Sequence, residues 1–536
     1  MNKMGATIEV TTQLLQNHIR NTLEKFASLS AMANAPMITY FTEQLWKTHI
    51  PTEIQQEIQT KDDINDAVEI YWQHLNADQG ENATNDKFKH FRAFLTSNKQ
   101  FHLDNLDDVW VSPEKLRQIF DTDCSRTLPI KGFMSDKKNH EVHITADVIA
   151  NMCASMRDQK ALGVIDAGDG KGYLSTRLSL EHNIKVLGVD YNPGNTLGAM
   201  LRSEKLERYW GGIKTRAEKT VSSDVPLEKQ TRRKRKERRA AAMQQDIEPK
   251  TPVVNENYKN VTHFITPQTD FIGLFSENFG IKTKEVPGLC LSGLHTCGNL
   301  APSCLRIFTE NQQIVAVCNI GCCYHLLSEQ FSTFVYRVIR RERSPESRPR
   351  KVCERPEEDP MKETFGFPMS QYLIDQKTIL GRNARMLACQ TVHRVVDKKE
   401  LPNAHLFYRA LLEVLIQRKC PEFVGRIEVG RMKQCYTFAE YVRKSAKRSP
   451  ALQFDDVTDN ELTELHNEFR NEERFVDIYH LMRVSIAAIV ENVILLDRFL
   501  YLKEQEHASD MSYLVRFFDP VVSPRCYGLI AMKHFR

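Results

Sequence analysis

The stretch VIDAGDGKG, residues 164–172, decides how this chain is read. It places Asp166, Gly168, Asp169, Gly170 and Gly172 in a D-x-G-x-G-x-G pattern between an apolar run, residues 161–165, and a helical segment, residues 174–181. Glycines in a strand-to-helix turn let the chain bend sharply and bring bare backbone against a ligand. A second apolar run, residues 185–189, ends in Asp190, 24 positions after Asp166. A carboxylate there can accept hydrogen bonds from both hydroxyls of a ribose. A glycine cluster alone reads as a tight turn with packing glycines. With the strand, the helix and the second carboxylate in place, it predicts binding of a nucleoside cofactor.

Outward from this turn, residues 261–266, 287–294 and 313–319 are further short apolar runs, with a helical stretch at 197–210. Strand–helix alternation of this kind predicts an α/β fold with a Rossmann-like, mostly parallel sheet. Residues 1–123 read as an N-terminal helical region that braces or caps the donor site. Its aromatic and aliphatic residues at 8–31, 37–46 and 88–95 fall at helical spacing. The core is expected over 124–330, carrying a disordered basic insertion at 211–256. Residues 331–480 are expected to form a flexible loop (Pro-rich and charged at 340–360) and a helical insertion. Residues 481–536 are expected to form an apolar helix and a hairpin, 513–518 with 527–533, that completes the sheet.

Composition excludes several classes. The chain has 536 residues, 41% hydrophobic and 26% charged, which suits a globular protein rather than a collagen or a disordered chain. Thirteen cysteines cannot all pair within one chain and do not form a secreted disulfide framework; they suit a reducing compartment, cytoplasmic and/or nuclear. The greasiest stretch, 484–500, is interrupted by Glu491, Asn492, Asp497 and Arg498, so no membrane span is expected. The opening MNKMGATIEV lacks the apolar core of a leader. Net charge is +4, yet RRKRKERR at 232–239 alone contributes +6. That run is a solvated loop, a nuclear-import signal or an auxiliary contact for nucleic-acid phosphates.

The spacing of Gly168, Gly170 and Gly172 departs from the G-x-G-x-x-G of dinucleotide sites. The carboxylates of Asp166 and Asp169 would repel a pyrophosphate and suit a cationic sulfonium. The expected cofactor is therefore S-adenosyl-L-methionine rather than NAD. The turn itself resembles motif I of class I methyltransferases. With MSDKKNHE (134–141), LHTCGNL (294–300), GCCYHLLSE (321–329), FGFPMS (365–370) and DPVVSPR (519–525), the chain resembles the methyltransferase-like protein 25 family, also labelled ribosomal RNA adenine dimethylase domain-containing. The resemblance implies a Rossmann-like methyltransferase sheet with helical additions, and a polar cluster ahead of the fold, here Lys137, Lys138, His140 and Glu141, that closes over the donor.

Base-amino methyltransferases usually carry N-x-P-[YF] after the fourth strand; none follows residue 294 here, which argues against adenine N6 dimethylation. HTCG and CCYH are similar to short motifs of tRNA ribose 2′-O-methyltransferases, so RNA is the favoured acceptor class and protein the next. His295 and His325 follow the two strands expected to face the methyl group and are the candidate bases or orienting donors. Each also reads as a satisfied structural histidine. Cys297 lacks the flanks of a cytosine-C5 nucleophile. Cys297, Cys322, Cys323, His295 and His325 together invite zinc. Adjacent cysteines and C-x-H depart from the usual ligand spacing, and no metal is assigned. A non-catalytic protein that keeps a donor-binding pocket is the alternative function.

Overall fold

The structure is a computed structural model. It describes residues 10–74, 87–122, 130, 134–156, 163–222, 254–286, 288–332, 337–338, 351–352, 365–423, 429, 432, 434–449, 452, 454–506 and 511–533. Its strands are β1 (Trp110–Val111), β2 (Gly163–Ala167), β3 (Val186–Asp190), β4 (Tyr258–Thr262), β5 (Leu289–Cys297), β6 (Ile314–Cys322), β7 (Arg337–Val338), β8 (Lys351–Val352), β9 (Ser512–Arg516) and β10 (Tyr527–Met532). Eight of them form one sheet in the order β1-β9-β10-β6-β5-β2-β3-β4, while β7 and β8 pair only with each other. Within the large sheet β10 is antiparallel to both neighbours, and the other pairings are parallel. This is the α/β, Rossmann-like architecture expected.

The central strands are continuous apolar runs because helices cover both faces; every residue of β2, β3 and β6 is buried. The helices that bear on the site are α1 (Thr12–Asn34), α2 (Asp136–Ser155), α3 (Tyr173–Glu181), α4 (Pro193–Ser222), α5 (Leu300–Glu310) and α6 (Glu473–Lys503). Thr11 caps α1 by accepting from the Leu14 amide at 3.2 Å, and Leu15, Ile19, Phe26 and Leu29 form its buried stripe. That stripe lies along α6, so the N-terminal helices brace the C-terminal helix rather than cap the donor turn. By length and composition α6 resembles a membrane span, but its apolar surface is covered by protein.

Three expectations are corrected. The strand read at 261–266 sits at Tyr258–Thr262. It is the sheet edge, so its alternating burial leaves no apolar run to read. Residues 211–222, expected to be disordered, continue α4 through the Gly211–Gly212 pair. Leu206, Trp210, Ile213 and Ala217 keep helical spacing there and pack around Ile130, which offsets the roughly 1 kcal/mol each glycine costs a helix. The apolar helix read from 481 begins at Glu473. The basic run 232–239 lies outside the described residues, as does most of the Pro-rich loop at 340–360. Among the described residues, the helical insertion contains His405–Lys419, Phe438–Arg448 and Asp459–Glu468. β1, two residues long, has no sequence signature.

Several quoted motifs stitch these additions to the sheet. Asp497 in α6 is buried and accepts from the amides of Met369 (2.8 Å) and Ser370 (2.9 Å) and from the Ser370 hydroxyl (2.7 Å). Glu329 accepts from the Leu380 amide at 2.8 Å and pairs with Arg385 at 3.2 Å. Thus FGFPMS and the end of GCCYHLLSE hold helices in place rather than supplying chemistry.

Candidate active site

The strand order reverses between β2 and β5, the place where open α/β sheets bind ligands beyond the carboxyl ends of their strands. The glycine turn follows β2, and His295 and Cys297 end β5, so the strongest sequence motifs meet at this crevice.

The three glycines have left-handed φ angles, +76°, +62° and +65° for Gly168, Gly170 and Gly172, but different surroundings. A Cβ on Gly170 would meet only the Gly168 carbonyl oxygen, at 3.7 Å, so this backbone faces open space. A Cβ on Gly172 would lie 2.6 Å from the Tyr258 hydroxyl and 3.3 Å from Ala199. Gly172 therefore permits α3 to pack on β4 and α4, a structural role where the sequence suggested cofactor contact.

Asp190 sits at the end of β3, as read. Its Oδ2 accepts from the Gly170 amide (3.1 Å) and Asn195 Nδ2 (3.0 Å), and its Oδ1 from the Asn192 amide (2.8 Å). A carboxylate offers about four lone-pair directions, so three are already met within the protein. One of them is met by a side chain able to rotate away.

Asp166 and Asp169 do not face the crevice as two charges. Asp166 is 3% exposed and accepts from Ser175 (2.8 Å) and Ser292 (3.0 Å). Asp169 accepts from the Tyr258 hydroxyl (2.5 Å) and lies 2.6 Å from the same Ser175 oxygen, whose single proton serves only one of the two acids at a time. Burial, then repulsion from Asp169, pushes Asp166 up to about 8, and burial raises Asp169 as well. The charge argument for a sulfonium therefore loses its strongest support, because these acids anchor the turn from beneath.

The polar cluster ahead of the fold divides. Lys138 Nζ lies 4.1 Å from the ring centre of Tyr173, the first residue of α3, with the Arg202 guanidinium at the same distance from that ring. Glu141 is 1% exposed, and its Oε2 holds His295 Nε2 at 2.9 Å. Its Oε1 accepts from Ser523 at 2.6 Å and lies 3.6 Å from Lys137 Nζ. Glu141 is thus sunk in the protein with both oxygens engaged, and it positions His295. Burial opposes its charge, but the bonds from His295, Ser523 and Lys137 outweigh it and lower its pKa. His295 stands at a bulge in β5 with φ +66°, a conformation uncommon for a non-glycine residue. Ser523 completes this constellation; its presence in DPVVSPR was its only sequence signal. Ser175, Ser292 and Tyr258 had none.

His325 goes elsewhere: its Nδ1 lies 3.5 Å from Cys389 Sγ. Nearby, Cys297, Cys322 and Cys323 bring their sulfurs together at 3.3, 3.5 and 3.6 Å. Hydrogen bonds from Cys297 and Cys322, with His325 and Arg525 close by, hold the Cys323 thiol well below the usual range. A cleft of about 610 Å³ opens beside α2, lined by Trp110, Arg117, His143, Asp147, Arg516 and Phe518 among others. None of the glycine-turn residues lines it.

Comparison with known proteins agrees with this geometry. Residues 137–330, which span Glu141, the turn, Asp190 and the cysteines, match a family model described as a methyltransferase domain. A human protein named probable methyltransferase-like protein 25 is 31% identical, with 75% of this chain and 75% of the relative covered. The mouse protein of that name is 30% identical with 84% of each covered. No solved structure matches the chain. With this identity sustained over most of its length, and with a methyltransferase domain built around the glycine turn, the chain belongs to the methyltransferase-like protein 25 family.

Proposed function

We propose that the methyltransferase uses S-adenosyl-L-methionine as donor and methylates RNA, with protein as the second acceptor class. The observation that carries the donor assignment is the pairing of Gly170 with Asp190. A bare backbone facing open space lies hydrogen-bonded to an acid at the end of the next strand. When bound, S-adenosyl-L-methionine supplies a methyl group already activated on a sulfonium. Gly170 leaves room for it, and Asp190 holds the ribose once Asn195 Nδ2 turns aside. Lys138 lies over Tyr173 at the mouth of the turn. His295, oriented by Glu141, aligns the acceptor and takes its proton.

The RNA reading is supported by two exposed aromatic rings on the same end of the sheet. Tyr191, directly after Asp190, is 49% exposed, and Phe264, just past β4, is 72% exposed. Rings so placed suit the stacking of unpaired bases. The run RRKRKERR at 232–239 adds phosphate attraction.

The test is incubation of the full chain with methyl-labelled S-adenosyl-L-methionine and cell extract, followed by separate nuclease and protease digestion. Label released by nuclease is expected. Release only by protease transfers the proposal to a protein acceptor, and donor binding without any labelled product favours the non-catalytic alternative. Lack of donor binding in calorimetry refutes the donor assignment.

A further inference from the structure

We propose that Cys297, Cys322 and Cys323 form a zinc(II) site with three protein thiolates and a fourth position open to an external ligand. The geometry is set by the sheet. Cys297 and Cys322 are register partners at the carboxyl ends of β5 and β6, so the parallel pairing places their side chains next to one another. Cys323 follows with φ +53°, a left-handed turn that a non-glycine residue adopts at a cost. That turn brings the third thiol back onto the other two.

The three sulfurs are 3.3–3.6 Å apart. Zinc–sulfur bonds of about 2.3 Å in a tetrahedral centre separate sulfurs by about 3.8 Å. Three thiols from two strands thus already stand within a few tenths of an ångström of the ligand spacing. The adjacent-cysteine pattern hid this, because spacing rules describe ligands from one loop, whereas these come from neighbouring strands.

Charge around the trio points the same way. Three thiolates around a divalent cation leave a net charge of −1. Arg498 is 2% exposed with its Nη1 against Gly321, one residue before Cys322, and its Nε and Nη2 have no hydrogen-bond partner among the described residues. Arg525, also buried, faces Cys322 and Cys323 while paired with Glu491 at 3.2 Å. A buried guanidinium this close to the trio adds positive charge that an anionic zinc–thiolate centre would balance.

The open position follows from the ligand count. Among the described residues, no fourth His, Cys, Asp or Glu shares the trio's mutual distance of 4.8 Å. His325 and Cys389 form their own contact next door. Structural zinc sites are closed by four protein ligands, whereas sites that engage an external ligand supply three. Cys297 is exposed, so the centre is reachable from solvent at the end of the sheet where the acceptor would approach. Binding displaces the thiol protons to solvent and involves no redox step.

The test is metal content, independent of any donor or acceptor. The full chain, stripped of metal under reducing conditions and titrated with zinc chloride alone, should bind one equivalent, read by elemental analysis after gel filtration. Cobalt(II) in its place should give thiolate charge-transfer and tetrahedral d–d absorption. Replacing Cys297, Cys322 and Cys323 together by serine should abolish both signals, while Cys420→Ser keeps them. Because the triple variant removes two inward-facing thiols, Cys297→Ser alone, at an exposed position, is the second arm. It should lower zinc affinity at least tenfold with circular dichroism unchanged. Cys389→Ser should retain the metal. No uptake by the reduced wild-type chain, or full uptake by the folded triple variant, overturns the site. Loss of metal in Cys389→Ser overturns the open fourth position.

Discussion

Replacing Asp190 by alanine perturbs the donor site most directly. The carboxylate engages Gly170, Asn192 and Asn195 within the protein. In the proposed donor complex, one ribose hydroxyl would take the remaining lone pair of Oδ1 and the other would take the place of Asn195 Nδ2 on Oδ2. A hydrogen bond to a charged group contributes about 1.5–3 kcal/mol. Losing two, with water partly replacing them, costs about 2–4 kcal/mol, or roughly 30- to 1000-fold in Kd. Asn195→Ala removes the competitor and should leave affinity unchanged or raise it by up to about fivefold, equivalent to ~1 kcal/mol. The assay is calorimetric titration with S-adenosyl-L-methionine and its demethylated product. Because Asp190→Ala also unfastens the Gly170 amide, a 2′-deoxy analogue of the product closes the cycle. It should bind more weakly than the product to the wild type but equally to Asp190→Ala. An Asp190→Ala chain of intact fold with unaltered affinity refutes the reasoning. So does a 2′-deoxy penalty that is the same in both chains.

Other outcomes follow from the same geometry. Glu141→Gln should leave donor affinity unchanged in calorimetry but lower turnover by about 100-fold, because His295 loses the anion that orients it and supports its proton. Gly170→Val forces a branched side chain to φ +62° and into the open crevice; donor binding should vanish, while denaturant unfolding reports only about 1–2 kcal/mol of lost stability. Asp497→Ala leaves two amides and a hydroxyl unmet in the core and should cost about 2–4 kcal/mol, read in urea. His102 is 4% exposed, and burial, then repulsion from His393, depresses it to about 4. The unfolded chain takes up this proton first as pH falls, so the stabilisation is present above pH ~6.5 and lost between there and pH ~4. The loss is roughly 3–4 kcal/mol, and denaturation curves of His102→Gln should lack that share.

What was legible in the sequence was what local spacing encodes. Strand β2, its glycine turn and helix α3 are contiguous, so apolar periodicity and residues tolerant of positive φ announce them without reference to the rest of the chain. Asp190 was legible because its distance from the turn is one strand–helix–strand unit. The terminal hairpin was legible from its two apolar runs. β4 was misplaced because an edge strand is half polar, and the extension of α4 was missed because two glycines mask a stripe whose packing partner, Ile130, is far away in sequence.

The division of labour inside the site belonged to the tertiary structure. Asp166, Asp169 and Gly172 look like ligand contacts in one dimension; β5, β4, α3 and α4 packed around the turn make them its foundation. His295 and Ser523 stand 154 and 382 positions from Glu141 in the chain yet share one hydrogen-bonded cluster with it. Cys297 meets Cys322 and Cys323 only because β5 and β6 pair in one particular register. Side-chain chemistry is written residue by residue, but which charges neutralise one another and which thiols converge depends on long-range strand pairing, and no local pattern encodes that.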